Sequence, residues 1–147
     1  MADQATQRTV ISASPAHVWD VLTDFDGYPT WAHDLKSATV VERDAEGRAR
    51  DVAFRAAAMG RSTSYTLRYD YDRAPEVLSW RLVGGDLTRK LDGSYELLPV
   101  DGHPERTEVI YHLEVDLVVP LPGFVKRRAE GRIMSNALRH LRDHLER

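Results

Sequence analysis

Between residues 36 and 117 apolar side chains recur at every second position, in successive short segments; from residue 122 the spacing becomes helical. That order of periods constrains the fold more than anything else in the chain. Segments 36–43, 50–57, 62–71, 77–83, 87–98 and 107–117 read as strands. They are joined at 44–47, at Gly60, and at 72–75, 84–86 and 101–104, short stretches rich in Gly, Asp and Pro. Turns this short join strands running in opposite directions, so the six form an antiparallel meander. Residues 122–147 then supply one amphipathic helix, whose apolar stripe must be buried against that meander.

Parity within each strand gives the buried face, because successive side chains point to opposite sides of a sheet. In 62–71 the odd positions are Tyr65, Leu67, Tyr69 and Tyr71, and the even ones Ser64, Thr66, Arg68 and Asp70. The odd set is the inner one. The same reasoning places Ala38, Val40, Val52, Phe54, Ala56, Leu78, Trp80 and Leu82 inside, followed by Leu91, Gly93, Tyr95, Leu97, Val109, Tyr111, Leu113, Val115 and Leu117. Large aromatics alternating with Ala56, Gly93 and Gly131 leave either unfilled volume or a plain packed core with hydroxyls at its rim.

The helix carries the same ambiguity. With Met134 as its centre, Arg127, Glu130, Gly131, Ala137, Leu138, Leu141 and Leu145 share one side. Glycine costs a helix about 1 kcal/mol against alanine. Gly131 therefore serves either close backbone packing or space for a ligand.

Ahead of the meander, residues 7–11 read as a first strand. Ser14-Pro15 starts a helix, with Ser14 as cap and Pro15 at the first helical position. Val18, Val21, Leu22 and Phe25 follow at helical spacing, Asp26-Gly27 breaks the helix, and Tyr28–Trp31 forms a second short helix or turn.

The 147 residues contain no cysteine, which excludes disulfides, thiol catalysis and cysteine metal sites. No apolar run is long enough for a membrane span, and no signal-like stretch follows Met1, so a cytoplasmic protein is expected. Net charge is −3. Residues 123–147 carry about +4 of it and the remainder about −7, which argues against a nucleic-acid binder. The cluster Lys126-Arg127-Arg128 with Arg132 is either a solvated face or a docking patch for a membrane surface or protein.

Several strings, in this order, resemble a known superfamily. They are Ser12-Ala13-Ser14-Pro15-Ala16-His17-Val18-Trp19-Asp20-Val21-Leu22 and Asp24-Phe25-Asp26-Gly27-Tyr28-Pro29-Thr30-Trp31, then Leu78-Ser79-Trp80-Arg81 and Leu91-Asp92-Gly93-Ser94-Tyr95. Pro120-Leu121-Pro122-Gly123-Phe124 leads into the last helix. The sequence resembles the helix-grip superfamily of START-type lipid-transfer proteins, pollen-allergen-like proteins and polyketide cyclase/dehydrases, in its bacterial cyclase/dehydrase-like branch. The resemblance spans residues 1–147 as one domain. It implies an α+β helix-grip fold: a seven-stranded curved antiparallel sheet around a long C-terminal helix, with two short helices between the first and second strands. It also implies a hydrophobic cavity that takes lipids, quinones, steroids or polyketide chains.

Aromatase/cyclase relatives point a Ser and an Arg inward from a middle strand. The nearest positions here are Thr66 and Arg68, which parity turns outward, and this departure argues against cyclase activity. The polar candidates left on the inner side are Tyr69, Tyr95, Tyr111, Arg127 and Glu130. Arg127 is placed either to bind a ligand head group at the cavity mouth or to pair with an acidic residue at the rim. His140 and His144 stand four apart without an evident third ligand, so no metal site is expected, and no cofactor. His33 beside Asp34 is either an acid–base pair near the pocket or a loop histidine.

The expected ligand site comprises Phe54, Tyr65, Tyr69, Trp80, Leu91, Tyr95, Tyr111 and Leu113 from the sheet, and Trp31 from the insertion. Arg127, Gly131 and Met134 complete it from the helix. Gly60, Gly84-Gly85 and residues 28–31 are its candidate gate. No catalytic residue is assigned. Three functions fit: a carrier or binder of a hydrophobic small molecule, a polyketide cyclase/dehydrase-type enzyme, and an interaction module using the basic helix start. Monomer and homodimer are both compatible with the pattern.

Overall fold

The structure, a computed structural model, describes residues 3–58, 60–118 and 122–147. Its seven strands are β1 (Asp3–Ile11), β2 (Leu35–Arg43), β3 (Ala49–Ala58), β4 (Arg61–Asp70), β5 (Val77–Gly85), β6 (Thr88–Val100) and β7 (His103–Leu117). The helices are α1 (Pro15–Thr23), α2 (Tyr28–Trp31) and α3 (Gly123–Leu145), with a 3-10 turn at Phe25–Gly27 before α2. The strands form one antiparallel sheet in the order β1-β7-β6-β5-β4-β3-β2. β2 to β7 pair with their sequence neighbours, and β1 closes on β7. The sheet curves, and α3 lies across it beside β1, β7 and α2. This is the α+β helix-grip fold.

Local chemistry explains where the elements start and stop. The Ser14 hydroxyl accepts the His17 N–H at 3.3 Å, and Pro15 opens α1. Gly47 and Gly102 have φ of 83° and 75°, the left-handed turn conformation that side chains resist. The turn expected at 84–86 sits later: Gly84 and Gly85 belong to β5, paired with Thr66 and Tyr65. Asp86 explains the shift, since its carboxylate accepts the N–H groups of Ser64 and Leu87 and the Thr63 hydroxyl. Those bonds fix the bend at Asp86-Leu87 and hold its carboxyl below the usual range. The hairpin expected at 101–104 narrows to Asp101-Gly102, and β7 begins at His103. Pro120 and Leu121 of the expected approach to α3 lie outside the described residues.

Strand parity holds through the core. Thr63, Leu67 and Tyr69 of β4 are buried, as are Val109, Tyr111, Leu113 and Val115 of β7. Outward-facing Arg68 instead pairs with Asp51 across β3–β4, its guanidinium donating to both carboxylate oxygens at 2.8 and 3.0 Å. That fork holds the Asp51 carboxyl below its usual range.

Candidate ligand-binding cavity

A half-open cavity of about 160 Å³ lies between the inner face of the sheet, α2 and α3. Alternation along the strands supplies most of its wall: Phe54 and Ala56 from β3; Thr63, Tyr65, Leu67 and Tyr69 from β4; Trp80 from β5. β6 adds Thr88, Leu91 and Tyr95, and β7 adds Tyr111, Leu113 and Leu117. Thr88 and Leu91 face the same side, three residues apart, because the β6–β7 register shifts between Thr88 and Lys90. The insertion contributes Tyr28 and Trp31 from α2, then Ala32 and Asp34, and β2 adds Leu35.

The aromatic rings form a continuous packed wall. Tyr95 and Tyr111 are cross-strand partners with rings stacked 4.6 Å apart, and Trp80 lies 5.2 Å from the first and 6.0 Å from the second. Phe54 stacks on Tyr65 at 5.4 Å, and Tyr28 bridges Phe54 and Trp31. Backbone carbonyls take the hydroxyls of Tyr28 (Leu22) and Tyr71 (Ala49). Among the described residues, no such backbone bond ties down Tyr65, Tyr69, Tyr95 or Tyr111. Burial pushes all four of these phenols, and Tyr28, above their usual pKa, so each stays protonated. The buried indole N–H of Trp31 has no hydrogen-bond partner among the described residues.

Nine of the twelve residues expected from sequence line this space: Trp31, Phe54, Tyr65, Tyr69, Trp80, Leu91, Tyr95, Tyr111 and Leu113. Arg127, Gly131 and Met134 do not. With Met134 set at 0° and about 100° per residue, Gly131 falls near +60°, whereas Ala137 and Ile133 fall near −60° and −100°. The cavity is on the negative flank: Ile133, Ala137 and His140 form the α3 face that lines it. Met134 is only 1% exposed and belongs to the packed core, while Arg127 is solvent-exposed. A hydrophobic stripe locates the most buried line on a helix, and a ligand-facing flank beside it leaves little trace in that average.

Two expected sources of empty volume also resolve differently. A Cβ on Gly93 would collide with the His112 carbonyl and approach Trp80 Cζ2 to 2.9 Å, so its space is already occupied. A Cβ on Gly131 would meet nothing within 4 Å among the described residues, yet that space lies outside the cavity. Glu130 is 3% exposed and accepts the Leu117 N–H at 3.4 Å, tying α3 to the end of β7. Lys126 of the basic cluster is paired with Asp116 at 2.7 Å, which leaves Arg127, Arg128 and Arg132 on the surface near Phe124, 65% exposed.

His140 was missed as a wall residue. The spacing Ile133, Ala137, His140 was the available signal, since positions four and three apart share a helix face. Its ring lies 4.6 Å from that of His33, which follows α2, and Asn136 donates to the neighbouring Asp34 carboxylate at 3.4 Å. Burial, then the nearby His33, lowers the His140 pKa from 6.5. Among the described residues no group of three or more His, Asp or Glu could hold a metal ion.

A family model described as polyketide cyclase / dehydrase and lipid transport matches residues 3–146. The chain belongs to that family. Solved structures share its fold at low identity. A START superfamily protein from Mycobacterium smegmatis superposes with TM-score 0.89 at 21% identity, covering 97% of each chain. The Zhui aromatase/cyclase from Streptomyces sp. R1128 gives 0.83 at 16%, covering 100% of this chain and 95% of its own. Major latex-like protein 151 from Panax ginseng gives 0.72 at 12%, covering 98% and 97%. No curated protein matches the sequence significantly. No helix of the described residues is long and apolar enough to cross a membrane.

Proposed function

We propose that this family member binds a hydrophobic small molecule of lipid, quinone or polyketide type in the cavity between sheet and α3, as a carrier or binding protein. One observation carries the reading: an aromatic wall encloses empty space that the protein's own side chains leave unfilled. Apolar lining with a few convergent polar groups is what a ligand pocket requires. Native mass spectrometry of freshly purified protein, followed by organic extraction, tests it. A co-purifying apolar compound is the expected result. A clean apo mass, with no uptake of added aromatic or acyl ligands, would rule the carrier out.

A second reading, polyketide cyclase/dehydrase-type turnover, is favoured by the polar set around the same space. Tyr69, Tyr95 and Tyr111 offer protonated phenols, and His140 offers an imidazole. Proton transfer at an enolisable carbon needs such a donor and acceptor in a dry site. Incubation with a β-ketoacyl thioester mimic distinguishes the two: cyclised or dehydrated product marks an enzyme, unchanged bound compound a carrier. The family match and the structural neighbours support both readings, and Arg127 contributes to neither from its exposed position.

A further inference from the structure

The α3 wall of the cavity is Ile133, Ala137 and His140, and of these only His140 is polar. Charged and titratable neighbours on the turn after α2 and on α3 itself set the state of its imidazole. His33 and Asp34 face it from the turn after α2, and Arg139 and Asp143 from its own helix. His33, Arg139 and burial disfavour a proton on His140, while Asp34 and Asp143 favour one. The balance falls on the neutral side at pH 7, which leaves one ring nitrogen with a free lone pair. The Asp34 carboxylate beside it is engaged by Asn136. The same cavity is lined by Trp80, Tyr69, Tyr95 and Tyr111, whose packed rings present flat aromatic surface.

The volume admits an aromatic ring. About 160 Å³ is close to the roughly 150 Å³ apolar cavity that holds a single benzene. We propose that His140 is the hydrogen-bond acceptor for the hydroxyl of a compact phenolic ligand, one ring or a small fused system, seated between α3 and the Trp80–Tyr111 wall. The ligand's O–H donates to the imidazole, its ring packs on the aromatic wall, and no proton is transferred. The inference rests on the ligand-binding reading above.

A matched pair of probes tests it. p-Cresol and p-xylene have nearly the same shape and differ by one hydroxyl, and neither ionises between pH 5 and 8. Binding of each is measured by calorimetry, with quenching of tryptophan fluorescence as a second readout. In the wild-type protein His140 holds p-cresol against its greater cost of desolvation. In His140→Leu the ratio of the two affinities is expected to swing by about tenfold toward p-xylene. His140→Gln, whose amide oxygen accepts a hydrogen bond, is expected to restore part of the preference. Acidification that protonates His140 removes its lone pair and is expected to abolish the preference in the wild type alone. Equal ratios in wild type and His140→Leu, with both ligands bound, would overturn the role of His140 and leave the cavity reading standing. Failure of both probes to bind the wild type would remove the cavity reading itself, and this inference with it.

Discussion

The Trp80 indole occupies the space that a side chain at Gly93 would need. The two residues are paired across β5 and β6, and a Cβ on Gly93 would stand 2.9 Å from Trp80 Cζ2 and 3.1 Å from Leu113 Cδ1. It would also clash with the His112 carbonyl on β7. Glycine here is what lets the indole lie down on the sheet and meet Tyr69, Tyr95 and Tyr111.

Gly93→Ala is therefore expected to destabilise the fold by about 1–3 kcal/mol, the usual cost of overpacking a filled core. The clash is with backbone as well as with side chains, so relaxation is restricted. Chemical denaturation measures the loss. A stability equal to that of the wild type would mean that β6 and β7 can separate locally.

Gly131 predicts the opposite sign. It is helical and half-buried, and a Cβ there meets open space. Gly131→Ala is expected to gain roughly 0.5–1 kcal/mol from helix propensity. Gly131→Leu is expected to leave p-xylene affinity unchanged, because residue 131 lies on the flank of α3 away from the cavity. Loss of ligand uptake in that variant would place the occupied space elsewhere than described.

Ala137 is the position on α3 where added volume enters the cavity. Ala137→Leu is expected to weaken p-xylene binding at least tenfold while the melting temperature holds, since the new side chain fills empty space rather than displacing neighbours. Unchanged affinity would relocate binding, for instance to the polar depression lined by Trp19, Arg43, Arg48 and Tyr71.

All six tyrosines have raised pKa values, from burial first of all, with Tyr71 pushed up to about 12. The sign follows from linkage. A phenol whose folded pKa lies above its unfolded value near 10 favours the fold while neutral. Its contribution is present below pH 10 and is lost as pH rises beyond it. Native protein should show little tyrosinate absorbance at pH 10.5, and ionisation should arrive together with alkaline unfolding. A gradual titration centred on pH 10 in folded protein would show that water reaches the phenols.

Much of this protein was legible in the chain itself. Alternation with a period of two depends only on backbone geometry, so the inner faces of β3 to β7, and the eight strand residues expected at the site that line the cavity, followed from parity. The neighbour-to-neighbour meander followed from turns too short to cross the sheet, and Ser14-Pro15 marked the start of α1 through purely local bonds. The direction in which Arg68 points was set the same way, and its partner Asp51 lies one strand over.

Only the tertiary structure decided which flank of α3 meets the cavity and which meets the core. A helix has a continuous set of faces, and its docking angle depends on neighbours far away in sequence. Met134 therefore went to the core, Gly131 and Arg127 outside, and His140 to the wall beside His33, more than a hundred residues earlier in the chain. Whether a small residue leaves a void was equally a tertiary matter: Trp80 reaches over Gly93 from another strand, and none of the described residues reaches Gly131. Local periodicity fixes what is buried; the packing of distant elements fixes what is left empty.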